Sequence, residues 1–290
     1  AEDDFSLQIA EKIYFETSLN WIPILIAILL SIGLIIVIIK GFSYWQTHKR
    51  KQEKPIIESE DSSQNGTLIA IGATIAVVIA GINSAIGISI ASEFLNRNVQ
   101  VIGLTRKNEN NYFENSLYTQ INKFNYSDLS DLLNLEFNMF INCIGKYSDL
   151  TFKDLNKKEI VEMYQSNLIL PSVIILKVFN KFLNQDNGYI VNINSVAALS
   201  SNPDNEIIYS SSKAGLKTLI ESLQTEVANH KSNVRIVDVF SGAFKSNITK
   251  KRNDYSKLID PNEIGALLVS QILNRNSFIQ DKIYIKRDIY

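Results

Sequence analysis

The stretch Thr74-Ile-Ala-Val-Val-Ile79, followed within a few residues by Gly81, Asn83, Ser84, Ala85 and Gly87, constrains this chain more than any other feature. A run rich in β-branched residues and without polar alternation suits a parallel strand buried on both faces. The glycines and the Asn-Ser pair break the strand and open a helix. The same punctuation argues against a membrane span over the uncharged residues 67–91. Apolar strand-like runs recur at 99–104, 119–124, 137–142, 189–195, 234–239 and 282–285, with helical periodicity between most of them, clearest over 157–183 and 210–230. Such alternation implies an α/β fold built on a doubly wound parallel sheet.

With 290 residues and a formal net charge of -1, the chain has room for one sizeable domain plus an appendage. Near-neutral charge removes the electrostatic case for a nucleic-acid partner. The single cysteine, Cys143, excludes an intrachain disulfide, and two histidines, His48 and His230, exclude a Cys/His metal cluster.

The appendage is the N-terminal part. Residues 19–39 carry no charge, and about 20 helical residues rise ~30 Å, enough to cross hydrocarbon. Trp21 at one end and Tyr44 with Trp45 at the other suit interfacial belts. The expected organisation is therefore an acidic segment (1–18), one transmembrane helix with its interfacial flank (19–45), a polar linker (46–66) and the α/β domain (67–290). Glu2, Asp3, Asp4, Glu11 and Glu16 precede the helix, while Lys40, Lys49, Arg50, Lys51 and Lys54 follow it. The positive-inside rule then makes this a single-pass protein with its N-terminus outside and its C-terminal domain on the cytoplasmic, matrix or stromal side.

Tyr209 and Lys213, in Ile-Ile-Tyr-Ser-Ser-Ser-Lys-Ala-Gly, stand one helical turn apart on one face. Upstream come Ser195 at the end of an apolar run, Asn167 in Gln-Ser-Asn-Leu, Asn142-Cys-Ile-Gly145 and the glycine loop. In this order and spacing, from about Thr74 to the C-terminus, the chain resembles the short-chain dehydrogenase/reductase family. The resemblance implies a Rossmann-type sheet, a nicotinamide cofactor and hydride transfer between that cofactor and a carbonyl or alcohol substrate.

For the cofactor, the resemblance points to Gly81, Asn83, Ser84, Ile86 and Gly87, where the N–H groups and dipole of a helix N-terminus attract a pyrophosphate. After the second strand, Leu104-Thr105-Arg106-Lys107 lacks the carboxylate that would select NAD. Arg106 can pair with a 2'-phosphate, so NADP(H) is favoured over NAD(H). Asn125 and Tyr126 fall on the adenine side, and Asn142, Ile144 and Gly145 on the wall behind ribose and nicotinamide. Ser241, Gly242, Phe244 and Ser246 replace the family's Pro-Gly segment over the nicotinamide, and without the proline this loop is expected to be looser.

The resemblance makes Tyr209 the general acid of reduction and the base of the reverse reaction. Lys213 is expected to lower the phenol's pKa and hold the cofactor ribose, Ser195 to orient the substrate oxygen, and Asn167 to connect Lys213 to solvent through a water. The segment between Ser246 and Pro261 is short and charged, which leaves an open pocket suited to a bulky or carrier-bound substrate. Tethering at a lipid bilayer favours a hydrophobic, lipid-like one. In relatives the helices corresponding to 157–183 and 210–230 pair subunits, so a homodimer is one expected partnership. Ala80, Ala85, Asn125 and Ser241 depart from the family pattern and keep a second reading open, an accessory subunit of a membrane complex that retains the fold without turnover.

Overall fold

The computed structural model describes residues 75–126, 128–147, 151, 153–200, 206–273 and 280–286. The expected membrane helix and linker lie outside them.

Strand β1, Ala76–Ala80, is buried along its whole length. Val77 and Ile79 face one core while Ala76, Val78 and Ala80 face the other, as a strand between two helical layers requires. Gly81 then takes a φ of +80°, a left-handed conformation that a side chain would strain. A Cβ there would also come within 2.9 Å of the Cys143 backbone. Helix α1, Ala85–Leu95, starts at an extended Ser84 whose hydroxyl accepts from Gly87 N at 3.0 Å and donates to Gly81 O at 2.8 Å.

The other strands are β2 (Gln100–Leu104), β3 (Tyr118–Ile121), β4 (Met139–Asn142), β5 (Gly188–Ser195), β6 (Val234–Ser241) and β7 (Lys282–Ile285). They form one seven-stranded sheet in the order β3-β2-β1-β4-β5-β6-β7, every pair parallel. β3 ends earlier than the apolar run 119–124 predicts, because Lys123 turns the chain with a φ of +52°.

After the short α2 (Ser130–Asn134), helices α3 (Lys157–Tyr164), α4 (Leu170–Gln185) and α5 (Ile207–His230) precede α6 (Pro261–Leu273). Ile86, Ile90 and Phe94 of α1 and Ile264, Leu268 and Ile272 of α6 cover one face of the sheet. Ile174, Val178 and Phe182 of α4 and Leu216 and Ile220 of α5 cover the other. The expected continuous helix over 157–183 is interrupted by a wide π turn, Gln165–Ile169, in which Leu170 N donates to Gln165 O five residues back. Pro171, which has no N–H for the turn behind it, follows directly.

Candidate functional site

Strand order reverses between β1 and β4, and in open parallel sheets the crevice at such a point, outside the carboxyl ends of the strands, is where ligands sit. A cavity of about 1160 Å³ opens there. Asn83, Ser84 and Ile86 line one end, at the N-terminus of α1; Ile144 and Gly145 line the middle, and Ser195, Tyr209 and Lys213 the far wall. Ser241, Gly242, Phe244 and Ser246 line it from the loop after β6. A volume above the ~300–1,000 Å³ of ordinary small-molecule sites leaves room for a dinucleotide and a substrate together. A helix N-terminus at one end and a buried ammonium beside the other also fit an anionic cofactor.

Burial of β5 and of Ser210, Ser212 and Lys213 in the first turns of α5 fixes the far wall. Part of the Tyr209 ring is open to the cavity, yet the phenol lies deep enough that burial pushes its pKa up, with Glu206 adding in the same direction. A hydrogen bond with Ser195 works the other way. The Ser195 hydroxyl also accepts from Ala197 N at 3.2 Å, which fixes its rotamer at the end of β5. Lys213 is only 4% exposed, and its Nζ donates to Ile193 O at 3.2 Å. Burial lowers its pKa to about 8, against the pull of Asp238 and Cys143. The expected lowering of the Tyr209 pKa by Lys213 is thus not what the structure gives. Desolvation dominates at the phenol, and the ammonium is directed at a strand carbonyl.

Asn167 occupies the π turn and is fully buried. Its Oδ1 accepts from Lys146 N at 2.6 Å and its Nδ2 donates to Lys146 O at 2.8 Å, clamping the chain just after Gly145. It stands away from the cavity lining and near Lys213 rather than bonded to it.

Several residues expected at the cofactor do not reach the cavity. Gly81 and Gly87 lie beneath the loop, and a Cβ on Gly87 would come within 2.7 Å of Gly81 O. Asn142 is buried, bonded through Nδ2 to Asn192 Oδ1 at 2.8 Å and through Oδ1 to Ile144 N at 3.3 Å. Arg106 and Asn125 are exposed and do not line the cavity. Tyr126 packs edge-on against Phe124, with ring centroids 4.8 Å apart, inside the core. Burial pushes its pKa up to about 12, a hydrogen bond with the Gly81 backbone opposes that shift, and the hydroxyl donates to Leu104 O at 3.5 Å. Tyr126 therefore props the glycine loop from below.

The loop after β6 is tied down despite its missing proline. Ser241 Oγ donates to Gly242 O at 2.9 Å, Gly242 N to Ile285 O at 2.7 Å and Thr249 Oγ1 to Phe244 O at 2.8 Å. The sequence reading missed Tyr147 and Glu206. The Tyr147 ring meets the Tyr209 ring edge-on, centroids 5.1 Å apart, and its hydroxyl donates to Glu206 Oε1 at 3.1 Å. Their positions, two residues after Gly145 and three before Tyr209, are the only sequence signal that could have flagged them.

Comparison with known proteins agrees with this geometry. The chain is 28% identical over 187 residues to the 3-oxoacyl-[acyl-carrier-protein] reductase FabG of Buchnera aphidicola, covering 60% of this chain and 75% of the relative. It is 29% identical over 153 residues to the acetoacetyl-CoA reductase of an Acinetobacter species, covering 49% and 60%. Among solved structures, ElxO with NADP bound superposes with a TM-score of 0.61 at 20% identity, over 73% of this chain and 97% of that one. 4-Hydroxyisoleucine dehydrogenase complexed with NADH gives 0.63 at 22% identity, over 73% and 97%. These two share the fold. The family profile of short chain dehydrogenase matches residues 75–257, and the chain belongs to that family of oxidoreductases.

Proposed function

We propose that this chain is a membrane-anchored, NADP(H)-dependent reductase acting on the carbonyl group of a bulky, lipid-like or carrier-bound substrate, with alcohol oxidation as the reverse. The observation that carries this reading is the convergence of Ser195, Tyr209 and Lys213 on one cavity with the N-terminus of α1. NADPH, when bound, supplies the hydride. Asn83, Ser84 and Ile86 would hold its pyrophosphate, Gly145 and Lys213 its ribose and nicotinamide end, and Arg106 its 2'-phosphate. Tyr209 Oη gives its proton to the substrate oxygen, and Ser195 Oγ–H donates to the same oxygen as negative charge develops there. A phenol whose pKa burial raises is protonated at neutral pH, the state a proton donor needs.

The wide, partly charged mouth of the site supports this choice of substrate class. Ile248, Lys250 and Arg252 line the cavity from the segment after β6, so an apolar chain and an anionic carrier can both find partners there. Relatives named for 3-oxoacyl and acetoacetyl thioester reduction support the same choice. Residues 19–39 would anchor the domain to a bilayer on its cytoplasmic, matrix or stromal side. Val161 of α3, Ile169 of the π turn, and Val173 and Leu176 of α4 are exposed and would pair two copies. An accessory subunit without turnover is the second reading, favoured by the position of Arg106 and Asn125 outside the cavity lining.

The test is isotopic. NADPH deuterated at its transferable position, incubated with the full chain in detergent and a panel of 3-oxoacyl thioesters, should deliver deuterium to the new carbinol carbon. Unlabelled thioesters recovered across the panel would favour the accessory reading.

A further inference from the structure

One buried charge has no part in the chemistry above. Asp238 is fully buried in the middle of β6. It belongs to a polar row running straight across the sheet: Asn142 pairs in register with Asn192, Asn192 with Asp238, and Asp238 with Lys282. Asn192 Nδ2 donates to Asp238 Oδ1 at 2.7 Å, and Asn194 Nδ2 donates to Asp238 Oδ2 at 3.0 Å. The same Asn194 amide reaches Lys213 O at 3.4 Å, and its Oδ1 accepts from Ser195 N at 2.9 Å. Lys213 Nζ is bonded to Ile193, the residue before Asn194.

A carboxylate buried among amides is costly unless a countercharge stands near. The groups facing Asp238 are Lys213 and Glu221 from α5 and Lys282 from β7, whose ammonium is itself bonded to Glu221 Oε1 at 2.6 Å. Those facing Lys213 are Asp238 from β6 and the neutral thiol of Cys143 just after β4, with Tyr209 one turn away on α5. Resting on the reductase reading, we infer that Asp238 is a positioning residue of the site: its carboxylate keeps the Lys213 ammonium charged, and through Asn194 it sets the backbone of Ser195. Burial pushes the Asp238 carboxyl up, while the two amide donors and Lys213 hold it toward the charged form. Removing this negative charge makes proton loss easier for Lys213, the group that loses its charge first, so the alkaline limb must move to lower pH.

The experiment follows reduction of acetoacetyl-CoA by NADPH, with the full chain in detergent, from about pH 6 to about pH 10, a range that brackets the Lys213 value. Asp238→Asn and Asp238→Ala are expected to move the falling limb of kcat down by about half a pH unit or more while NADPH affinity stays within a few-fold. Asn194→Ala keeps the Asp238 side chain but cuts its link to Ser195; it is expected to lower kcat roughly tenfold. An unmoved limb in folded, NADPH-binding Asp238 variants would overturn the charge role, and an unchanged kcat in Asn194→Ala would overturn the positioning role even if neither Asp238 variant folds. A wild-type chain with no Tyr209-dependent turnover would sink the reductase reading and this inference with it. An active wild type with an unmoved limb sinks this inference alone.

Discussion

Lys213 and Asn167 converge on Gly145: a methyl group there would lie 3.5 Å from Lys213 Nζ and 3.6 Å from Asn167 Oδ1. Both distances are ordinary contacts, so the fold tolerates an alanine. The position has polar partners on two sides, which suits a bridging water between the lysine and the Asn167 clamp. Gly145→Ala should fill it and lower turnover roughly tenfold with little change in Tm. Wild-type turnover in that variant would remove the proton link through this space.

The direction of the pH dependence follows from the two shifts. Tyr209 is raised, so its proton is held at neutral pH and lost only as pH climbs past the ordinary phenol range. Lys213 is lowered to about 8 and gives up its charge first. Reduction needs both protons, so kcat for reduction should hold at neutral pH and fall as pH rises through about 8. Alcohol oxidation needs the phenolate and should rise on the alkaline side. Initial rates in the two directions, measured across that range, check the signs.

Arg106 is exposed two residues after the end of β2, and the proposed function gives it the 2'-phosphate. Arg106→Glu should weaken NADPH by about tenfold or more, some 1.4 kcal/mol, while leaving NADH nearly unchanged. Equal losses for the two cofactors in a fluorescence titration would remove the arginine from the selection.

Gly265 on α6 faces Ser89 on α1 so closely that a Cβ would lie 2.2 Å from Ser89 Oγ, which is already bonded to Pro261 O at 2.7 Å. Gly265→Ala must push the two helices apart and should cost about 1–3 kcal/mol, seen as a lower Tm. An unchanged Tm would mean the pair can shift freely.

The sheet was legible because β-branched runs such as Val77–Ile79 have no competing reading once Gly81 and Ser84 end them. Tyr209, Lys213 and Ser195 were legible because covalent spacing on α5 and the end of β5 fixes them locally. The π turn at Asn167 was hidden, since helical periodicity continues through it and only Pro171 hints at a disturbance. The inward turn of the Tyr126 ring against Phe124 was hidden, because core packing rather than local sequence makes that choice. Asp238 and Tyr147 acquire their partners from strands and helices far along the chain, which no single-sequence spacing encodes.

Tyr209 is the proposed proton donor in an NADPH-dependent reduction. The direct measurement compares wild type and Tyr209→Phe, as full chains in detergent, for NADPH affinity and for NADPH-dependent reduction of acetoacetyl-CoA. Cofactor affinity should agree within a few-fold in the two proteins, and the wild type should turn over, with turnover reduced in the variant by roughly a hundredfold or more. Equal turnover in the two proteins, or NADPH binding with turnover in neither, would contradict that role.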